Sequence, residues 1–405
     1  MIQKIFIVAA GALFLSGCSL GGVTAPKSDS QDSITSPETG AFATKAEPGS
    51  LWKTADGGKT FAVKSKVDEK QSITKADILS IAYHPKKPLI IYVGSVENGI
   101  FKTENGGEEW TPIPFPPKRI YSFILDKNDP DNRMFASGVV GDWGKIFRTD
   151  DGGTTWNDVY TEPGQKTLIT AISQHSRDRN VIFAGTDTGT VVKSVDSGDT
   201  WKNVGNKIDG IVADIAFDST QSLSTYLIVF GQKMYYSADG GVQWKDWEEE
   251  KQKEVAALFD KAAKASSKGK TSEAQKLQKQ AQNLSERNQK NKMPGGIMSI
   301  ASDPNRTGVV YVGTSAGFFR SADFGKYWDE VNIIESAKKF SIRSIAVNPK
   351  DSKEIVFVAG KAFYKSIDEG VTWRTTGLNV DRGASFVTYD PFDPRYLFIG
   401  LRNFK

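Results

Sequence analysis

Thr149-Asp150-Asp151-Gly152-Gly153-Thr154-Thr155-Trp156 is the stretch on which the fold turns. It reads as a small hydroxyl residue, any residue, Asp, any residue, Gly, two further positions and an aromatic. An Asp before a glycine can accept backbone N–H groups inside its own turn, and the glycine supplies positive φ. The aromatic that follows is suited to a sheet interface, where a ring of this size removes roughly 150–250 Å² from water.

The same eight-residue pattern occurs seven times. Thr54 to Phe61 and Thr103 to Trp110 precede this copy, and Ser194 to Trp201, Ser237 to Trp244, Ser321 to Trp328 and Ser366 to Trp373 follow it. The Asp place holds Asp56, Asn105, Asp151, Asp196, Asp239, Asp323 and Asp368. The glycine place holds Gly58, Gly107, Gly153, Gly198, Gly241, Gly325 and Gly370. Phe61 takes the aromatic place once, and Trp110, Trp156, Trp201, Trp244, Trp328 and Trp373 take it otherwise, which uses six of the chain's nine tryptophans. Successive aromatics lie 49, 46, 45, 43, 84 and 45 residues apart, so every interval but one has the length of a four-stranded propeller blade.

Upstream of the turns an apolar strand, an Asp-Pro-like corner and a second apolar strand recur. Examples are Ile78 to Pro85 with Ile91 to Gly94, Ile297 to Pro304 with Val310 to Gly313, and Ile342 to Pro349 with Val356 to Val358. Such near-continuous apolar runs fit strands covered on both faces. Leu51 to Phe61 brings a turn and an outer strand without inner strands, whereas Phe386 to Tyr389 and Tyr396 to Leu401 bring inner strands without a turn. The expected fold is therefore all-β: a seven-bladed propeller of four-stranded antiparallel blades. The two chain ends share one blade and leave few exposed sheet edges.

These repeats resemble the Asp-box, or BNR, repeat of sialidases, sortilin-type receptors, family 74 xyloglucanases and photosystem II assembly-factor propellers. The resemblance implies the propeller, and it implies that the box residues are structural, since in sialidases they lie opposite the active site. It does not imply one activity, because the repeat recurs across unrelated functions. The nearest overall likeness is to the assembly-factor and sortilin-like propellers, which are single rings without catalysis.

The long interval holds a different kind of sequence. From Trp247 to Met293 it is rich in Glu, Lys, Gln and Ala. Val255, Leu258, Phe259 and Ala262, then Ala274, Leu277, Ala281 and Leu284, recur at helical spacing, with a break at Ser267 to Lys270. Glu248 to Glu250 open the first helix, and Arg287, Lys290 and Lys292 close the second, the sense the helix dipole favours. An inserted α-helical hairpin is expected over 248–293. Its place in the repeat puts it on the face opposite the Asp boxes, as a docking arm, a lid over the central channel or a solvated decoration.

The N-terminus reads as an export signal. Lys4 precedes an apolar run from Ile5 to Leu15, too short for a bilayer span, and Leu15-Ser16-Gly17-Cys18 resembles the bacterial lipobox. The expected organisation is a lipoprotein signal peptide over 1–17, a lipidated Cys18 with a flexible tether over 18–49, and the propeller over 50–405. A tether of about thirty residues has an r.m.s. reach of roughly 30 Å. The expected location is extracytoplasmic, on a membrane reached through the lipid anchor.

The 405 residues carry a net charge of +4, which does not argue for nucleic acid as a partner. His84 and His175 are the only histidines, and both sit in strand corners without Cys or carboxylate at metal-ligand spacing. No cofactor or metal is expected, and no nucleophile elbow, phosphate loop or HExxH is present. Arg119, Tyr121, Arg343 and Arg382 fall at or just before inner strands and form the candidate partner or ligand face. Three arginines clamping a carboxylate are what sialidase chemistry needs, so a sialidase-like glycosidase on surface glycans is the enzymatic alternative. The Arg-Ile-Pro signature of that family is absent, Lys118-Arg119-Ile120-Tyr121 being the nearest stretch. Family 74 cleavage works between two propellers, and one is expected here. The leading reading is a non-catalytic scaffold that binds an envelope protein or polysaccharide.

Overall fold

The computed structural model describes residues 48–67, 72–117, 119–334 and 339–404. Signal peptide, Cys18 and nearly all of the tether lie outside the described residues. Seven antiparallel sheets form the ring. Blade 1 is the shared one: Gly383–Tyr389, Leu397–Arg402, Leu51–Thr54 and Ala62–Val63 lie in that order from the innermost strand outward. Leu51 pairs with Gly400 and Thr54 with Leu397, so the two ends of the fold meet in one sheet. Blades 2, 3 and 4 begin at Ile78, Ser122 and Ile169, and blades 5, 6 and 7 at Val212, Ile297 and Ile342. The second strands, such as Ile91–Ser95, Ile182–Thr186 and Val310–Thr314, are buried along their whole length, as the apolar runs predict.

Each Asp box is one hydrogen-bonded unit. The hydroxyl of the first residue accepts the N–H of the box glycine four residues on, from Thr54 with Gly58 (3.0 Å) to Ser366 with Gly370 (2.8 Å), in all seven copies. It donates to the carboxylate or amide oxygen two residues on, at 2.7–2.8 Å throughout. That oxygen then accepts a second N–H, as Asp368 does from Thr372 at 2.8 Å. The buried hydroxyl is thus the hub, a role not apparent from its small size alone.

The glycine is required for a second reason besides φ. At Gly241, φ is +89°, and a Cβ would stand 2.5 Å from the Phe183 ring of the preceding blade. Gly198 meets Phe135 and Gly58 meets Phe363 in the same way. The residue just before is also left-handed, yet Ser197, Phe324 and Glu369 stand there in place of glycine. Each turn therefore seats itself on its neighbour, and the blades stack around the ring.

Blade 5 departs from the pattern. It has three strands, Val212–Phe217, Thr225–Val229 and Met234–Ser237, and a single bridge from Tyr236 to Lys245 stands in the fourth place. Asp246 then caps a helix by accepting the Glu248 N–H. The helix α1 (Trp247–Ser267) and its antiparallel partner α2 (Thr271–Lys290) form the expected hairpin, packed through Ala262, Ala265, Ala274 and Ala281. At 1.5 Å per residue the arm is about 30 Å long.

The side from which the arm springs differs from expectation. The Trp247 indole N–H donates to the Phe324 carbonyl, inside the Asp box of blade 6, at 2.9 Å. Glu254 pairs with Lys326 at 2.9 Å, and the Arg287 guanidinium lies 4.1 Å from the Tyr327 ring centre. The arm is seated on the Asp-box side, not opposite it. The cause is the missing fourth strand: the chain leaves the sheet at Lys245, before crossing to the other face.

Candidate binding site at the channel mouth

The strand directions define two faces. The third strand of a blade runs into the Asp box, and the innermost strand runs parallel to it, so innermost strands begin on the opposite face. There, near their first residues, six of the seven show a register shift. The extra residues are Leu79, Thr170, Ala213, Met298, Arg343 and Ser385, and all six line the central channel, a cavity of about 370 Å³. A one-residue bulge turns a side chain that would enter the blade interface toward the axis instead.

The sequence candidates separate here. Arg343 is a bulge residue, and its guanidinium lies 3.7 Å from the Phe404 ring centre, a cation–π stack at the channel wall. Burial lowers its pKa, and neighbouring Arg402 lowers it further. Arg402 ends the second strand of blade 1 and lines the same cavity. Burial lowers its pKa as well, while Asp77 acts in the opposite sense and Arg119 adds to the lowering. Arg119 is ion-paired with Glu97, and Tyr121 lines the cavity. Arg119, Arg343 and Arg402 therefore form one group of guanidinium charges beside an apolar-walled opening.

Arg382 leaves this set. It is buried, and it donates to the carbonyls of Gly49 (2.6 Å), Thr74 (2.5 Å) and Ala76 (2.8 Å) and to Asp77 (3.2 Å). Those bonds tie the start of the fold and the approach to blade 2 onto the last innermost strand. Arg382 is a clamp for ring closure. Arg402, which takes its place at the mouth, carried no distinguishing signal beyond its position at the end of the last apolar strand.

The remaining candidates are absent from the channel lining. Asp56, Asp151, Asp196, Asp239, Asp323 and Asp368 are held within their turns, as is Asn105, which accepts the Glu109 N–H at 3.0 Å. Bonds from the turn hold the carboxyls of Asp151, Asp196 and Asp368 down at about 2. Trp110, Trp244 and Trp328 are buried, and Trp156, Trp201 and Trp373 half-buried, against neighbouring blades. The Nδ1 atoms of His84 and His175 accept N–H groups two and three residues on, just as the Asp303 carboxylate does, and burial lowers both imidazole pKa values. Among the described residues, no group of three His, Cys, Asp or Glu is placed to hold a metal. No helix among them is long and apolar enough to cross a membrane.

Comparison with known proteins agrees with this architecture. The Sortilin-Vps10 family model, described as sortilin, neurotensin receptor 3, matches residues 144–303. The chain is 26% identical over 151 residues to the photosystem II assembly lipoprotein Ycf48 of Synechococcus sp. (strain CC9902), covering 36% of this chain and 42% of that one. It is 25% identical over 210 residues to the xyloglucanase Xgh74A of Acetivibrio thermocellus, covering 41% and 25%. The chain thus spans less than half the length of these curated relatives. Among solved structures, the family 74 xyloglucanase of Xanthomonas campestris superposes with a TM-score of 0.58 at 15% identity, covering 81% of this chain and 51% of that one. Ycf48 of Cyanidioschyzon merolae superposes with a TM-score of 0.54 at 14% identity, covering 80% and 95%. Ycf48 bound to a D1 peptide gives 0.54 at 13% identity, covering 80% and 93%. These structural likenesses speak to the fold.

Proposed function

We propose that this sortilin- and Ycf48-like propeller is a non-catalytic scaffold, lipid-anchored through Cys18 on the outer side of a membrane. It grips an acidic segment of another envelope protein at the channel mouth. The observation that carries this reading is that Arg343 and Arg402 line one half-buried opening, where water screens their charge poorly, with Arg119, ion-paired to Glu97, near Arg402. Guanidinium groups suit carboxylates because their fork matches two oxygens at once. A Ycf48 structure holding a D1 peptide and a relative named as a lipoprotein support a protein partner and an anchor.

The family 74 likeness favours a second reading, a glycoside hydrolase. Against it, Asp214 is the one carboxylate among the residues described as lining the channel, and glycoside hydrolysis ordinarily takes a pair. The test measures an acidic peptide by fluorescence anisotropy at several salt concentrations. Wild type binds with a steep salt dependence, and the Arg343→Gln, Arg402→Gln double variant loses about tenfold or more in affinity. Release of sugar from xyloglucan or sialyllactose by the wild type, abolished by Arg343→Ala, would overturn the scaffold reading.

A further inference from the structure

Serines join some innermost strands to the next blade. The slot just after the bulge holds Ser80 in blade 2, Ala171 in blade 4 and Phe386 in blade 1, which make no such bond. The joining residues are Ser122 in blade 3, which lacks the bulge, and Ser299 and Ser344 just after the bulges of blades 6 and 7. Their hydroxyls bond the next blade's innermost strand, at the Ile172 N–H (2.9 Å), the Ile342 carbonyl (2.9 Å) and the Val387 N–H (3.0 Å). Blade 5 has Asp214 in the same slot. Among the described residues its carboxylate bonds no neighbouring blade and accepts only the N–H of the next residue, Ile215, at 2.8 Å. It is open to the water of the channel, yet protein surrounds it on every side, and this enclosure raises its pKa to about 6. Two of the bulged blades use this slot to join the next blade, and Asp214 does not.

We propose that Asp214 makes the channel a subsite for a primary ammonium group, a lysine side chain or a free amine, on a ligand whose carboxylate rests on Arg343 and Arg402. The inference rests on the scaffold reading of the same mouth and names the second half of its ligand. Geometry supports it: Asp214 lies in blade 5, whereas Arg343 and Arg402 belong to blades 7 and 1, so charges of opposite sign line different walls of one cavity. Leu79, Phe230, Met298 and Phe386 line the same cavity, which suits a methylene chain. A volume of about 370 Å³ is within the range that takes a small ligand. Tyr121, Arg343 and Arg402 are the other ionisable side chains described in the lining.

The probes are 6-aminohexanoate and hexanoate, which share a carboxylate and differ in the ammonium group, titrated into the full chain and followed by ligand-observed NMR at pH 7.5. The amine binds about tenfold tighter in wild type, and Asp214→Asn, near in shape, brings the two within about twofold. At pH 5 the wild-type preference shrinks, because Asp214 takes up a proton. Acidic peptides carrying lysine with an acetylated N-terminus, or norleucine with a free one, identify the source of the amine. Equal affinities in wild type, a preference that survives Asp214→Asn, or no binding of either probe would overturn the ammonium subsite. If an acidic peptide still binds through the arginines in such a case, the scaffold reading stands; if that is lost as well, both fall.

Discussion

Replacing Arg382 by alanine removes a side chain that ties both termini of the fold to each other. Its guanidinium is buried and satisfies the carbonyls of Gly49, Thr74 and Ala76, besides meeting Asp77. Each carbonyl left buried without a partner costs about 1–3 kcal/mol, whereas Asp77 keeps the N–H groups of Asn403. Residues 72–77 can open and let water reach some of these groups, so the net loss is smaller than three full penalties. We expect about 3–5 kcal/mol, the range seen when a buried charged pair loses one member. Urea unfolding of the full chain measures it as a fall in midpoint at unchanged slope. Limited proteolysis supplies an independent readout, because the segment before blade 2 is cut faster once its carbonyls are released. Arg382→Lys recovers only part of the loss, since an ammonium cannot reproduce the planar fork. A loss below about 1 kcal/mol together with unchanged proteolysis would refute the clamp.

Three further outcomes are expected. Asp151, Asp196 and Asp368 have folded pKa values of about 2, below the unfolded carboxylate value of about 3.9. Their contribution is therefore complete above pH 4 and lost as pH falls from 4 to 2, and urea midpoints across that range should drop in step. Gly241→Ala must bear both a left-handed backbone and a Cβ thrust at Phe183, so we expect a loss of about 3 kcal/mol in thermal or chemical unfolding. Tyr327→Ala removes the ring against which Arg287 and Lys251 lie; hydrogen exchange at the base of α1 and α2 should rise while ring protection stays unchanged.

How far the sequence could be read depended on how local the governing chemistry is. The Asp boxes are closed by bonds within eight residues, so seven copies announce seven blades, and helical spacing announces the arm in the same way. The arm's side was decided by something subtler. Lys245 makes one bridge and no strand, whereas Lys202, which also follows a box tryptophan, continues a fourth strand; the difference is the helix that starts at Trp247, directly after Lys245 and its cap Asp246. Arg382 and Arg402 look alike from sequence, and only distant carbonyls assign one to closure and the other to the mouth. Asp214 was hidden by a bulge: the extra residue at Ala213 puts Val212 and Ile215 on the buried side, which period-two alternation would have separated.

The pairing of Leu51 with Gly400 has a consequence for how the protein comes into being. A chain delivered from its N-terminus can pair its first strand with Ala62–Val63 on one edge but must hold the other edge open until the last strand arrives. Closure is then the final event of folding and demands the longest loop the chain can make. A product cut short by even one strand keeps an open edge on each side of the gap, which makes it a target for proteases and a template for aggregation, so the shared blade also acts as a check that synthesis was completed.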